Sequence, residues 1–127
     1  MRSIALRALI AVVLVPLGAL AACGGTATPE PSYPAGAIVV TADARKFDTA
    51  ALVVPAGSMF TLVLVNREAD AHNIAIRTQS GFDGDIVYRN DPISASTAVL
   101  EVGPIAQGSY FFLCEVHSTM SGTVEAR

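Results

Sequence analysis

Residues 108 to 120 read GSYFFLCEVHSTM. Aromatic and apolar residues from Tyr110 to Leu113 predict a β-strand, ended by Cys114. A period of two sends Tyr110, Phe112 and Cys114 to one face and Phe111 and Leu113 to the other. The aromatics on the first face are expected in a core. The sulfur of Cys114 is then expected at the end of an inward column, shielded from water but next to a loop. In that loop His117 and Met120 follow at three-residue steps. A thiol, an imidazole and a thioether therefore lie within reach of one point.

Outward from this stretch, short β-rich runs repeat at near-regular spacing. They are Ile38 to Ala44, Leu52 to Val54, Met59 to Asn66, Asn73 to Thr78, Ile86 to Tyr88, Ala98 to Val102, Tyr110 to Cys114 and Gly122 to Glu125. Turn signals punctuate them: Pro55-Ala56-Gly57, GFDGD at 81 to 85, and Gly103-Pro104. About eight short strands with no trustworthy helical period predict an all-β antiparallel sandwich or barrel. Met59 is expected in the core, and Glu115, by alternation, in solvent.

The beginning of the chain has a different character. MRSIALRALIAVVLVPLGALAACGG opens with Arg2 and Arg7, continues with an apolar run broken by Pro16, and ends in small residues. This is the pattern of a secretory signal over 1–22. The run is too short and interrupted for a permanent membrane span. Leu20-Ala21-Ala22-Cys23 resembles the lipobox of bacterial lipoproteins. That resemblance implies lipidation of Cys23 and an extracytoplasmic protein anchored to the cell membrane, at the cell surface or in the periplasm. Acyl chains add ~0.8 kcal/mol per buried methylene. Residues 23–37, rich in Gly, Pro, Ala and Thr, read as a flexible linker, and 38–127 as a single domain.

Without Arg2 and Arg7 the balance is 6 positive against 11 negative side chains, a net charge of −5. An acidic chain with no basic cluster is a poor nucleic-acid binder. The chain has 2 cysteines, and lipidation of Cys23 leaves Cys114 without a partner in an oxidising compartment. A metal is an obvious occupant of that sulfur.

His72 and His117 are the only histidines. With Cys114 and Met120 they offer two nitrogens, a thiolate and a thioether, a set suited to copper in a trigonal His₂Cys arrangement with a weak axial Met. His72 lies 42 residues before Cys114, in the loop after the strongest strand. A sandwich can bring that loop to the same end as the Cys114 loop.

These residues resemble those of the cupredoxins, the small blue copper proteins. The matching residues are Gly108, Tyr110, Phe112 and Cys114, the C-x2-H-x2-M loop, the pair His72-Asn73, VPAG at 54 to 57, the strand to Asn66, and Met120, Gly122 and Val124 at the close. The resemblance covers about residues 38 to 127 and is similar in loop spacing to amicyanin. It implies a Greek-key β-sandwich with one type 1 copper ion, bound by His72, Cys114, His117 and Met120. It further implies that Asn73 ties the ligand loops, its amide pointing at the Cys114 sulfur. His117 is implied to face redox donor and acceptor proteins across a small apolar patch of Ala71, Pro104, Ala106 and Val116.

Many relatives carry proline where this chain has Val116, so the Val116 amide is a candidate donor to the thiolate. Leu113 stands where plastocyanins have a tyrosine, so their remote electron route is not carried over. The expected activity is one-electron transfer by a monomer, with no substrate transformed and hence no enzyme. Copper delivery or homeostasis is the alternative. The sequence disfavours it, since beyond residue 22 only Met59, Met120 and two histidines are present. A nucleophilic Cys114–His117 pair has no identifiable orienting residue.

Overall fold

The computed structural model describes Gly25 and residues 31–127. The signal segment, Cys23 and part of the linker lie outside the described residues. From Pro31 onward the chain folds as two sheets around one core. Among the described residues the strands are β1 (Ile38–Asp43), β2 (Lys46–Phe47), β3 (Ala51–Val54), β4 (Phe60–Asn66), β5 (Ala75–Arg77), β6 (Ile86–Arg89), β7 (Thr97–Val102), β8 (Gly108–Leu113) and β9 (Ser121–Ala126). No helix among these residues is long and apolar enough to cross a membrane.

One sheet runs β2-β1-β4-β7 and the other β3-β9-β8-β5-β6. The all-β sandwich expected from the sequence is present, with two corrections. The sheets are mixed: β1 pairs parallel with β4, and β3 pairs parallel with β9. Between β1 and β4 the chain crosses to the other sheet to make β3, and that long connection lets β4 return in the same direction as β1. There is also a ninth strand. The β1–β2 hairpin turns through Ala44 and Arg45, both left-handed at φ 50° and 54°. Two-residue hairpin turns of this hand normally announce themselves with Asn-Gly or Asp-Gly, so Ala-Arg conceals the turn.

The core is built by alternation. In β4, Leu62 and Leu64 face inward, and in β8 Phe112 does, all fully buried. Cys114 and Met120 belong to this same buried cluster. The short β2 puts Phe47 against Phe112, with ring centroids 5.3 Å apart, a tilted contact between the two sheets. Gly122 is required behind that ring: a Cβ there would lie 2.4 Å from Phe112 Cε1 and 2.5 Å from the Ala50 carbonyl oxygen. Met59, expected in the core, is instead 55% exposed, because it precedes β4 rather than sharing its inward face.

Candidate metal centre

The two ligand segments leave the central parts of opposite sheets. β4 lies inside its sheet and leads into the 67–74 segment carrying His72, while β8 lies inside the other and leads into Cys114. The sandwich brings them together at one pole. Nδ1 of His72 lies 3.7 Å from Cys114 Sγ and 3.2 Å from Nδ1 of His117. The three donor atoms all fall within 4.8 Å of one another. His72 and Cys114 are fully buried and His117 is half-buried.

The Cys114 loop is held by main chain. The Cys114 amide donates to the Met120 carbonyl and the Met120 amide to the His117 carbonyl, both at 2.9 Å. This tight turn buries Met120 beside the end of β8, with 2% of it exposed.

The His72 segment is held by side chains. Asn66, buried at the end of β4, donates from Nδ2 to the carbonyls of Asp70 and Ile93, each at 2.7 Å. Its Oδ1 accepts from the Glu68 amide at 2.8 Å. This local turn is the kind that asparagine stabilises. It folds Glu68 back under His72, which itself forms a two-way backbone bridge with Ile93.

Glu68 was not singled out in the sequence. Its Oε2 lies 2.8 Å from His72 Nε2. A carboxylate only accepts, so Nε2 carries the proton and Nδ1 presents its lone pair to Cys114 and His117. The Arg45 amide donates to the same Oε2 at 2.9 Å, and the Arg45 guanidinium binds Asp70 Oδ2 at 2.7 Å. The unusual β1–β2 turn thus holds Glu68 in place. Left-handed non-glycine residues cost of order 1–3 kcal/mol each and concentrate at functional sites. The guanidinium of Arg45, through its hydrogen bond and charge, lowers the pKa of Asp70. The one sequence signal for Glu68 is a carboxylate four residues before a histidine, which outside a helix does not establish contact.

Asn73 does link the two ligand segments, and it does so through its side chain. Its Oδ1 accepts from the Glu115 amide at 2.8 Å, and its Nδ2 donates to Glu115 Oε2 at 3.0 Å. Cys114 Sγ has a polar contact with His72 Nδ1 at 3.7 Å. Glu115 is not solvated as expected. Its Oε1 accepts from Arg77 Nη2 at 2.7 Å, and Arg77 is itself buried. Burial works to raise the Glu115 pKa, but hydrogen bonds from Arg77 and Asn73 together with the charges of Arg89 and Arg77 outweigh it and hold the carboxyl below the ordinary glutamate range. Of the apolar residues expected beside His117, Val116 is 48% exposed, Pro104 and Ala106 are exposed and Ala71 is half-buried.

A family model described as a cupredoxin-like domain matches residues 13–125. The chain belongs to the cupredoxin-like family. Solved structures of blue copper proteins share this cupredoxin fold. Auracyanin A from Chloroflexus aurantiacus, titled a "blue" copper protein, superposes with a TM-score of 0.62 at 17% identity, covering 72% of this chain and 98% of its own. Auracyanin from Roseiflexus castenholzii gives 0.59 at 20% identity, covering 72% and 96%. Amicyanin from Paracoccus versutus gives 0.55 at 27% identity, covering 75% and 85%. A search of curated proteins returned no match.

The donor set of this cupredoxin fits a transition metal on its own chemistry. Two imidazole nitrogens and a thiol sulfur converge at one pole of the sandwich, two of the three residues fully buried, and one imidazole is held in the right tautomer by a carboxylate. Such carboxylate–histidine pairs orient metal ligands and raise their basicity.

Proposed function

We propose that this chain is a one-electron carrier with a single type 1 copper centre, bound by His72, Cys114, His117 and Met120 and held outside the cytoplasm by a lipid on Cys23. The observation that carries this reading is the convergence of three donor atoms within 4.8 Å at one pole of the sandwich. Bound copper supplies a couple between +1 and +2, and a His₂Cys set with a distant thioether suits both states.

The chain's own residues divide the remaining work. Glu68 fixes the His72 tautomer. The fold shields the Cys114 sulfur from water and from other oxidants. Met120, buried in the same loop, is the candidate thioether donor. His117 is the half-exposed ligand, and the exposed surface of Val116, Pro104 and Ala106 beside it is the face offered to donor and acceptor proteins. In this reading the role is electron transfer rather than catalysis. The 23–37 tether with a lipidated Cys23 would keep the domain near membrane partners and raise its effective concentration there.

The test is direct. Cu(II) added to the domain gives an intense blue or green colour, and Cys114→Ser abolishes it. A colourless wild-type protein overturns the reading. Copper delivery is the competing role, and full burial of His72 and Cys114 speaks against it. A chelator that strips copper rapidly from the folded protein would favour delivery.

A further inference from the structure

The outer face of the β8-containing sheet carries a partly buried ion pair next to the metal-ligand cysteine. Ile74 and Ile76 point into the core, so Asn73, Ala75 and Arg77 share the opposite face. Ala75 has no long side chain to block the guanidinium from running along that face. Arg77 Nη2 donates to Glu115 Oε1 at 2.7 Å, while Nη1 donates to the carbonyls of Phe82 and Gly84 at 3.1 and 3.0 Å. The Phe82 ring lies 5.4 Å from the guanidinium carbon. Arg77 Nε is buried with no partner. A guanidinium that leaves one donor unmet is being held by its other contacts, and here the strongest is a carboxylate one residue from Cys114.

We propose that Arg77 is a positioning residue for the copper centre. It clamps Glu115, and through it the Asn73 link between the two ligand segments, and it is the close, buried cation that neutralises a carboxylate one residue from Cys114, the exposed Arg89 lying farther off at 3.9 Å from the same oxygen. This rests on the copper reading above. An uncompensated negative charge near the centre favours the more positive oxidised ion. Removing Arg77 therefore lowers the reduction potential. Removing the Glu115 charge while Arg77 remains raises it. A residue that merely packs has no reason to give opposite signs.

The experiment measures the reduction potential of the copper-loaded protein in four variants. Arg77→Met shifts it down and Glu115→Gln shifts it up. The double variant returns it towards the wild-type value, since the charges are removed together. Arg77→Lys keeps the charge and stays near wild type, and this variant still reports if Arg77→Met folds poorly. Shifts of the same sign in both single variants, or no shift in either with the thiolate colour intact, overturn the proposal. Hydrogen exchange at the Glu115 amide, which donates to Asn73 Oδ1, gives a second readout in the chain without copper. Faster exchange in Arg77→Met supports the clamp and unchanged exchange overturns it. If the wild type takes up no copper, the functional reading falls and this exchange measurement alone decides the clamp.

Discussion

The two ligand segments meet at one pole but are built on opposite plans. The 114–120 loop is short and closed by its own main chain, through the Cys114–Met120 and Met120–His117 bonds. The segment carrying His72 is long and fixed by side chains and distant strands: Asn66, Glu68, the Arg45 amide and the bridge to Ile93. A loop that relies on main-chain bonds tolerates most side-chain changes. A segment that relies on a few buried polar side chains fails when one of them is lost. The centre is thus robust on its sulfur side and vulnerable on its first-histidine side.

The largest effect is expected at Asn66. Asn66→Ala leaves the Glu68 amide and the Asp70 carbonyl without their side-chain partner and takes one of two donors from the Ile93 carbonyl, and an orphaned buried group costs about 1–3 kcal/mol. Urea denaturation should show a loss of about 3 kcal/mol, with copper affinity falling as well. A loss under about 1 kcal/mol would mean that water replaces the side chain and that the contrast is wrong.

Next comes Gly122→Ala, behind the Phe112 ring, which overpacks the core by a single methyl. About 1–3 kcal/mol of stability should go. The copper colour should survive, because the 114–120 bonds are untouched.

Glu68→Ala should leave folding nearly intact but free the His72 ring. Losing such an orienting partner weakens metal affinity by about 10–100-fold. Glu68→Gln keeps an acceptor for Nε2, so titration with a competing chelator should show a smaller loss.

Acid sharpens the comparison on the Glu115 side. The folded pKa of Glu115 is depressed: burial raises it, but the Arg77 and Asn73 hydrogen bonds and the charges of Arg89 and Arg77 together exceed that effect. Its contribution is therefore fully present above the unfolded value of about 4.3 and fades as pH falls through the lower folded value. Thermal melts across that range should drop more steeply for wild type than for Glu115→Gln. Smallest of all is Arg45→Ala. Its ion pair with Asp70 is exposed on both sides, whereas the contact to Glu68 comes from the backbone amide and persists. The melting midpoint and the copper affinity should both stay where they are.

The same contrast explains what was legible in the sequence. Cys114, His117 and Met120 are readable because a strand end and two three-residue steps bring them together locally. His72 is readable through its Asn73 neighbour and the family resemblance. Glu68 is not, because its contact depends on a turn made by Asn66 and on the amide of a hairpin without the usual turn residues. The parallel pairings of β1 with β4 and β3 with β9 leave no trace in alternation, which reports the face of a residue but not the direction of the neighbouring strand. Alternation set Glu115 on the outer face correctly. It had no means of showing that the 78–85 loop, pinned by Arg77, covers the neighbouring part of that face.

The His72–Ile93 bridge carries one more consequence. Ile93 lies in the stretch between β6 and β7, where the chain passes from one layer of the sandwich to the other. His72 is stitched to that passage by two backbone bonds, while Cys114 follows the central strand of one layer. A shift of that passage relative to the layer of Cys114 pulls on the backbone of His72. The absorption band of the copper-loaded centre is therefore expected to respond to distortions that begin in the 90–96 passage.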